Sequence, residues 1–468
     1  MSVITQDEPP VIIVGAGLSG LTCALRLHEA GIPIQVIEAS DGVGGRVRTD
    51  RVDGFLLDRG FQVYLSAYPM AGELLDLKAL QLRSFEPGAL VYDGRDLNRV
   101  MDVFRKPKHF IGSLFSSIGS LNDKIRVALL RFQTLGSSAE DILTHEDQAT
   151  EDFLKDFGFS KRMIDGFFRC FYGGIFLESE LRTSSHMFEF TFKMFSQGNA
   201  TLPARGMGSI PLQLARRLPA GTIRNNTPVT AVTSSSVTLA DGGILQGSRV
   251  VIATQASQTQ RLVPAFSSHA PGWRSVTNVY YSADKSPLGE AIIALNGSDE
   301  GLVNNVCVPS DVSSDYAPNG KSLISVSLLG IHRDDDIPAI VKKELTEWFG
   351  NQTHNWRHLR TDIIKHALPE QIPQNGRTHT RGFQKVDGLM ICGDHTTSAS
   401  IEGAIISGNK AADELLRSIQ SKKDRPKSPT SQSASSNAHG AVNPFNHSSA
   451  TKPLKPAPRP KPCSTKKQ

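Results

Sequence analysis

The chain has 468 residues, 39% hydrophobic and 21% charged, a balance that suits a soluble globular protein of two or more domains or one large composite fold. The formal charge of +5 is uneven: ten Lys/Arg face one Asp/Glu in 421–468, which leaves residues 1–420 at −4 and argues against a basic nucleic-acid-binding core. No apolar run approaches the roughly 18 residues of a membrane helix, and Asp7, Glu8, Pro9 and Pro10 lead straight into an apolar strand without a cleavable leader pattern, so a cytoplasmic compartment is expected.

The first elements read as a βαβ unit: a strand at Val11–Val14, a helix over 18–30 and a strand at Ile34–Ile37, which implies parallel strands and a right-handed crossover. Gly15, Gly17 and Gly20 occupy the strand-to-helix turn in "VIIVGAGLSG". The first permits the tight turn, the second lets a pyrophosphate approach the backbone, and the third lets helix and strand pack closely. The helix start at Leu18 and Ser19 offers free N–H groups and a partial positive charge to a phosphate. Glu38, followed by Ala39, ends the second strand, where a carboxylate accepts ribose hydroxyls and repels a 2′-phosphate. In "EASDGVGGRVRT" a second glycine pair, Gly44 and Gly45, allows another close backbone approach, and Arg46 can pair with phosphate. An NAD enzyme has no need of this second loop, so the expected cofactor is FAD.

Further along, 80–201 is aromatic-rich and helical in pattern, and 264–373 mixes strands and helices. Strand-like text returns in "GTIRNNTPVTAVTSSSVTLADGG" and "RVVIAT", and a last strand and helix in "GLMICGDHTTSASIEGAIISGNKAADELL". This order places a discontinuous dinucleotide-binding domain at 1–79, 202–263 and 374–420, interleaved with a substrate domain at 80–201 and 264–373. From 421 the chain is Ser-, Pro- and Lys-rich with Phe445 as its one aromatic residue, and is read as a disordered basic tail. Its "PLKPAPRPKP" suits an SH3-like groove, and Asn443-Pro444-Phe445 resembles an adaptor motif, though a plain solvated appendage is the favoured reading. Cys23, Cys170, Cys307, Cys392 and Cys463 show no metal or redox spacing and are expected to be reduced, mostly packed thiols. No metal site is expected.

"GAGLSG", "EAS…GGRVRT", "VVIAT" and "CGDHTTSASIEGAIISGNKAADEL" together resemble the flavin-containing amine oxidase superfamily, which includes monoamine and polyamine oxidases, protoporphyrinogen oxidase and phytoene-desaturase-type enzymes. The resemblance spans roughly 10–417. It implies an α/β (α+β), two-domain fold with a Rossmann-like FAD-binding domain of p-hydroxybenzoate-hydroxylase-like type and an interleaved substrate domain. It implies that Gly15, Gly17, Gly20, Glu38, Gly45 and Arg46 hold the ADP half of FAD, that the Val229 backbone reads adenine, and that Gly393 and Asp394 sit near the ribityl and pyrophosphate. Ile401, Glu402, Gly403 and Ala404 would start the last helix beneath the flavin, where its dipole favours the anionic reduced form.

The resemblance also bears on the reaction. The strand that carries a lysine near the flavin in amine oxidases best matches "SVTNVYYSA", with Asn278 at the lysine position, which leans away from oxygen-activating amine oxidation. With no cysteine between Cys307 and Cys392, the flavin is expected to be non-covalent. Asp58, Arg59 and Gln62 either bring polar groups near the flavin or substrate entrance or form a structural turn. The aromatics of 167–195 around Gly173 and Gly174 either line an apolar pocket or are plain core. Segment 202–215 resembles one that crosses close to the flavin, with Arg205 placed to meet an acidic substrate group. Segment 104–132 combines basic residues with an apolar face and is read either as a peripheral membrane contact or as an ordinary helix pair. His186 and His395 lie near site motifs and are read as structural. The expected function is FAD-dependent hydride transfer from an apolar small molecule, desaturase-like or protoporphyrinogen-oxidase-like, with no catalytic side chain assigned. The alternatives are a true amine oxidase that releases peroxide, and a flavin-binding scaffold whose tail recruits partners.

Overall fold

In Val11–Val14 all four residues are buried, as a strand covered on both faces requires. A computed structural model describes residues 9–102, 119–143, 145–269, 271–298, 300–373 and 382–423. The tail with its SH3-like and adaptor motifs, Cys463 and residues 103–118 lie outside the described residues. Val11–Val14 is inside a six-stranded sheet ordered Ile223–Arg224, Ile34–Ile37, Val11–Val14, Arg249–Ile252, Leu389–Ile391 and Gln384–Val386. The first five strands run parallel; only the last pair is antiparallel. The register sets Val11 against Ile34 on one side and Arg249 on the other, so the strand that opens the chain is paired with one some 240 residues later. The mixed α/β class expected from the sequence is the class observed.

A second sheet has seven strands, ordered Arg357–Pro369, Trp273–Ala283, Ser322–Leu329, Val303–Cys307, Ile293–Asn296, Gly88–Tyr92 and Leu97–Met101. Side chains alternate across it with the period of two that a strand imposes. Val279, Ile324, Val326 and Val306 face a helix at Ile337–Phe349 and pack on its Val341, Leu345 and Trp348. The intervening Asn278, Ser325, Ser327 and Asn305 are also buried, which puts an uncommonly polar face inside the protein.

Helices inserted between the two groups of sheet strands form an apolar layer, in which Phe168, Tyr172, Phe176 and Phe188 are buried in one cluster. Its outermost helix, Leu121–Gly136, is held at both ends by polar groups. At the N-terminus Asp123 accepts from Ser120 N (2.7 Å) and Ser160 N (2.8 Å), which lowers its pKa to about 2 despite its burial. At the C-terminus the buried Lys193 ammonium donates to the carbonyls of Thr134 (3.0 Å) and Ser137 (2.7 Å), the groups a helix end leaves unpaired. One stripe of this helix nevertheless stays exposed: Leu121, Ile125, Leu129 and Phe132, the last at 82%. Among the described residues no helix is long and apolar enough to cross a membrane.

Asp58 ties distant segments together. Its carboxylate accepts from Met207 N (2.9 Å), Tyr316 Oη (2.7 Å) and Thr49 Oγ1, and burial pushes its pKa up to about 6. The chain ends of the six-stranded sheet are locked by a different device, the crossing of helix Leu18–Glu29 with helix Ile401–Lys423. A Cβ at Gly408 would stand 2.2 Å from the Ser19 carbonyl oxygen, so only glycine allows this approach. By contrast a Cβ at Gly72, in helix Pro69–Leu74, would meet nothing within 4 Å. Gly408→Val therefore destabilises by about 1–3 kcal/mol or more through overpacking, whereas Gly72→Ala is neutral or stabilises by up to about 1 kcal/mol. Urea unfolding of the two variants checks this; equal stabilities would remove the helix crossing as a constraint.

Candidate functional site

One cavity of about 1480 Å3 runs from the opening glycines to the aromatic helices. Ligand pockets are commonly about 300–1,000 Å3, so this space suits a cofactor and a substrate together. At its first end the turn after Val14 needs glycine at 15: φ is +106°, and a Cβ would lie 2.7 Å from Ala253 O. Gly20 serves packing alone, since its Cβ would sit 2.0 Å from Gly15 O and it does not line the cavity. Gly17 is different. Its φ of −71° suits any residue, and a Cβ would meet nothing within 4 Å, yet it lines the cavity. The chain's own packing does not require glycine there; glycine leaves the protein backbone open to close approach, a cradle that fits a dinucleotide pyrophosphate.

The second glycine loop lies against the first. Gly44 N donates to Ala16 O (2.8 Å), and Gly17 and Gly44 form a parallel bridge. Leu18, Ser19, Ala39, Gly44, Gly45 and Arg46 line the same end of the cavity. Glu38 also lines it, with its carboxylate held in place: Oε2 accepts from Ala16 N (2.8 Å), and Oε1 from Ser40 N (2.8 Å) and Ser40 Oγ (2.7 Å). Three acceptor positions of Glu38 are thus used by the protein, and a carboxylate has about four. Val229 joins this end because Thr227 N donates to Glu38 O (2.9 Å), bringing strand Val229–Val232 alongside.

In the middle of the cavity two predicted residues meet each other. The Arg46 Nη2 donates to Asp394 Oδ1 at 2.6 Å and its Nη1 to Ala367 O at 3.1 Å, while the guanidinium lies 5.6 Å from the centre of the Trp273 ring. Gln62 Nε2 supports this arrangement by donating to Arg46 O (2.9 Å) and Arg59 O (3.0 Å). Arg59 lines the cavity too, with its guanidinium on both oxygens of Asp50. Gly393, Asp394, Ile401 and Ala404 line the wall at the start of the last helix, and Ser19 Oγ donates to Ala404 O (2.8 Å).

Several expected placements are corrected by the geometry. The Glu402 side chain does not face the cavity: it is 2% exposed and accepts from Met70 N (2.8 Å) and Ala71 N (2.9 Å), capping helix Pro69–Leu74. Free N–H groups at a helix start are a better partner for a buried carboxylate than an apolar wall. Asp58 belongs to the hydrogen-bond knot described above and not to the cavity wall. Asn278 is likewise outside the lining, accepting from Ser327 Oγ (3.0 Å) and donating to Ser325 Oγ (3.0 Å); two residues earlier on the same face, Val276 lines the cavity. Arg205 is exposed and outside the lining, and the glycines beside it, Gly206 and Gly208, make room for Thr49. His395 is buried against Phe266, with its pKa pushed down to about 4 by desolvation, so it is neutral at physiological pH. Cys23, Cys170, Cys307 and Cys392 are free, buried thiols.

The far end of the cavity is walled by aromatics, among them Phe167, Phe171, Phe192 and Phe195, so part of the 167–195 segment is lining and part is core. Opposite them stand groups that sequence reasoning missed. Arg274 faces Glu370 at 2.6 Å, an ion pair between residues 96 positions apart that no local pattern signals. Asn305 and Ser327 come from the polar face of the seven-stranded sheet; the signal available was an asparagine inside the apolar stretch "VNNVCV".

The family model described as flavin containing amine oxidoreductase matches residues 18–416. Protoporphyrinogen oxidase 2, chloroplastic/mitochondrial, of Arabidopsis thaliana is 31% identical over 166 residues, 35% of this chain and 32% of that protein. The 4,4'-diapolycopene oxygenase of Methylomonas sp is 45% identical over 56 residues, 12% of this chain and 11% of that protein. The matched segments therefore span about a third or less of these relatives' length. Among solved structures, a triple mutant of putrescine oxidase superposes with a TM-score of 0.69 at 18% identity, covering 88% of this chain and 99% of the other, a likeness of fold. With the family model covering most of its length, the chain belongs to the flavin-containing amine oxidoreductase family, and its cofactor is FAD.

Proposed function

We propose that this protein is an FAD-dependent oxidoreductase that removes a hydride from an apolar, ring- or polyene-bearing small molecule. The observation that carries the reading is the continuity of one cavity between the glycine cradle and the aromatic chamber. Bound FAD supplies the two-electron acceptor. The chain's own residues bind and orient: Gly17 and Gly45 clear the backbone, Glu38 stands ready at the ribose, and Arg46 with Asp394 forms a charged pair midway along the cavity. The aromatic chamber excludes water and holds an apolar skeleton by burial. Amine oxidation is the second reading, favoured by Lys365, which lines the cavity on strand Arg357–Pro369 beside the strand of Val276.

The exposed stripe of helix Leu121–Gly136 extends the proposal to a cytoplasmic protein that touches a membrane surface. Leu121 and Ile125 both line the cavity and remain exposed, so this helix forms part of the cavity rim. An apolar stripe at the rim is placed to receive an apolar substrate from lipid. This covers the described half of segment 104–132; residues 103–118 lie outside the described residues.

Three measurements test these readings. Gly17→Val leaves the unfolding midpoint of flavin-free protein unchanged, because its Cβ meets nothing, but weakens flavin retention by at least about tenfold by filling the cradle; retention equal to the parent would remove Gly17 from the cofactor site. Anaerobic mixing with porphyrinogens or carotenoid precursors bleaches the visible flavin bands, whereas bleaching by monoamines or polyamines, with peroxide released in air, would favour the second reading. In flotation with phosphatidylcholine vesicles the parent rises with lipid and Phe132→Glu does not; equal flotation of the two would dismiss the rim as a membrane contact.

A further inference from the structure

The chamber is not uniformly apolar, and its polar side has a chemical consequence. Asn305 lies in strand Val303–Cys307, is 3% exposed and lines the cavity. Its Nδ2 carries two protons and donates to Asn304 Oδ1 (2.9 Å), while its Oδ1 has no partner among the described residues. The register places Ser327, also buried and lining the cavity, directly across from it. The Ser327 hydroxyl donates its proton to Asn278 Oδ1 (3.0 Å) and keeps lone pairs of its own.

The helix above is shaped to admit these amides. A Cβ at Gly174 would lie 2.7 Å from Asn304 Oδ1 and 3.1 Å from Asn305 Nδ2, and Gly174 lines the cavity as well. Gly174 is therefore a clearance for polar side chains. A site that held only hydrocarbon would be better served by valine or leucine at 305, since a buried carboxamide with unused hydrogen-bonding positions is costly. Neighbouring inward positions on the same face, Leu295 and Val276, are apolar, so the polarity is confined to one patch.

We propose that Asn305, assisted by Ser327, is a specificity-determining residue that hydrogen-bonds a ring heteroatom on the edge of the substrate while the aromatic wall covers its apolar face. This narrows the substrate class proposed above from ring- or polyene-bearing molecules to heteroatom-bearing polycycles and sets pure hydrocarbons, carotenoid precursors included, aside. This rests on the reading of the cavity as a joint cofactor and substrate site.

The test uses full-length, flavin-loaded protein and three near-isosteric tricycles: carbazole, with an N–H donor; dibenzofuran, with an acceptor; and fluorene, with neither. Calorimetric titration gives carbazole or dibenzofuran binding about tenfold tighter than fluorene. In Asn305→Leu that preference falls to near unity with fluorene affinity kept or improved, and Ser327→Ala shrinks it and serves if the first variant fails to fold. A purely structural Asn305 would lower the unfolding midpoint and leave the affinity ratio unchanged. Equal affinities in the parent, no binding of any tricycle, or a ratio unmoved in both variants overturns the proposal. Flavin absorbance recorded on the same samples separates this from failure of the cofactor reading, which would show as protein without visible bands.

Discussion

The contact between the first and last helices is the constraint on which the rest of the site depends. Ser19 and Gly408 are nearly 390 residues apart, yet the backbone of one leaves no room for a side chain on the other. Ser19 Oγ adds a hydrogen bond to Ala404 O, and Gly393 N donates to Ser407 Oγ at 2.7 Å. Because both helices start at the cavity, closing this crossing fixes two helix N-termini toward one space. The partial positive charge that each terminus carries then points into the same cavity. Had the crossing been built on larger side chains, helices at the 8–10 Å separation of ordinary packing would stand further apart and the two ends of the cradle would not share one ligand.

Hydrogen-bond accounting explains most of the charged groups around that space. Glu402, Asp58 and Asp123 are buried carboxylates, and each is satisfied by backbone N–H groups, by hydroxyls or by both. Burial alone would favour their neutral forms; the donors offset this to different degrees, leaving Asp58 raised to about 6 and Asp123 lowered to about 2. The ion pairs with both partners on the cavity lining are Arg46 with Asp394, Arg274 with Glu370 and Arg131 with Asp102. These positive and negative groups on the lining are therefore paired with one another.

Legibility in the sequence followed the range of the interaction. The turn at Gly15 and the close packing at Gly20 are local backbone requirements, while Gly17 leaves an open face between them, and three letters in ten report this. Glu38 was legible for the same reason, since it sits at the end of a strand whose neighbour is 23 residues upstream. Arg46 was half legible. Its place beside the second glycine pair is local, but its partner Asp394 is 348 residues away and is set by the sheet order. Glu402 was misjudged because its helix position was clear while the direction of its side chain depends on helix Pro69–Leu74 packing beside it. Asn278 was misjudged by position along the strand: a shift of two residues keeps the face, and the choice between Val276 and Asn278 rests on where along the strand the cavity ends.

By itself the sequence determined the cofactor class and the α/β frame, because strand burial, glycine turns and a strand-ending carboxylate act over a few residues. The tertiary structure alone decided which polar groups face one another across the cavity, which aromatics are wall and which are core, and that a polar patch lines the chamber. Those outcomes depend on strand order and helix crossing, which bring together residues that no local pattern relates.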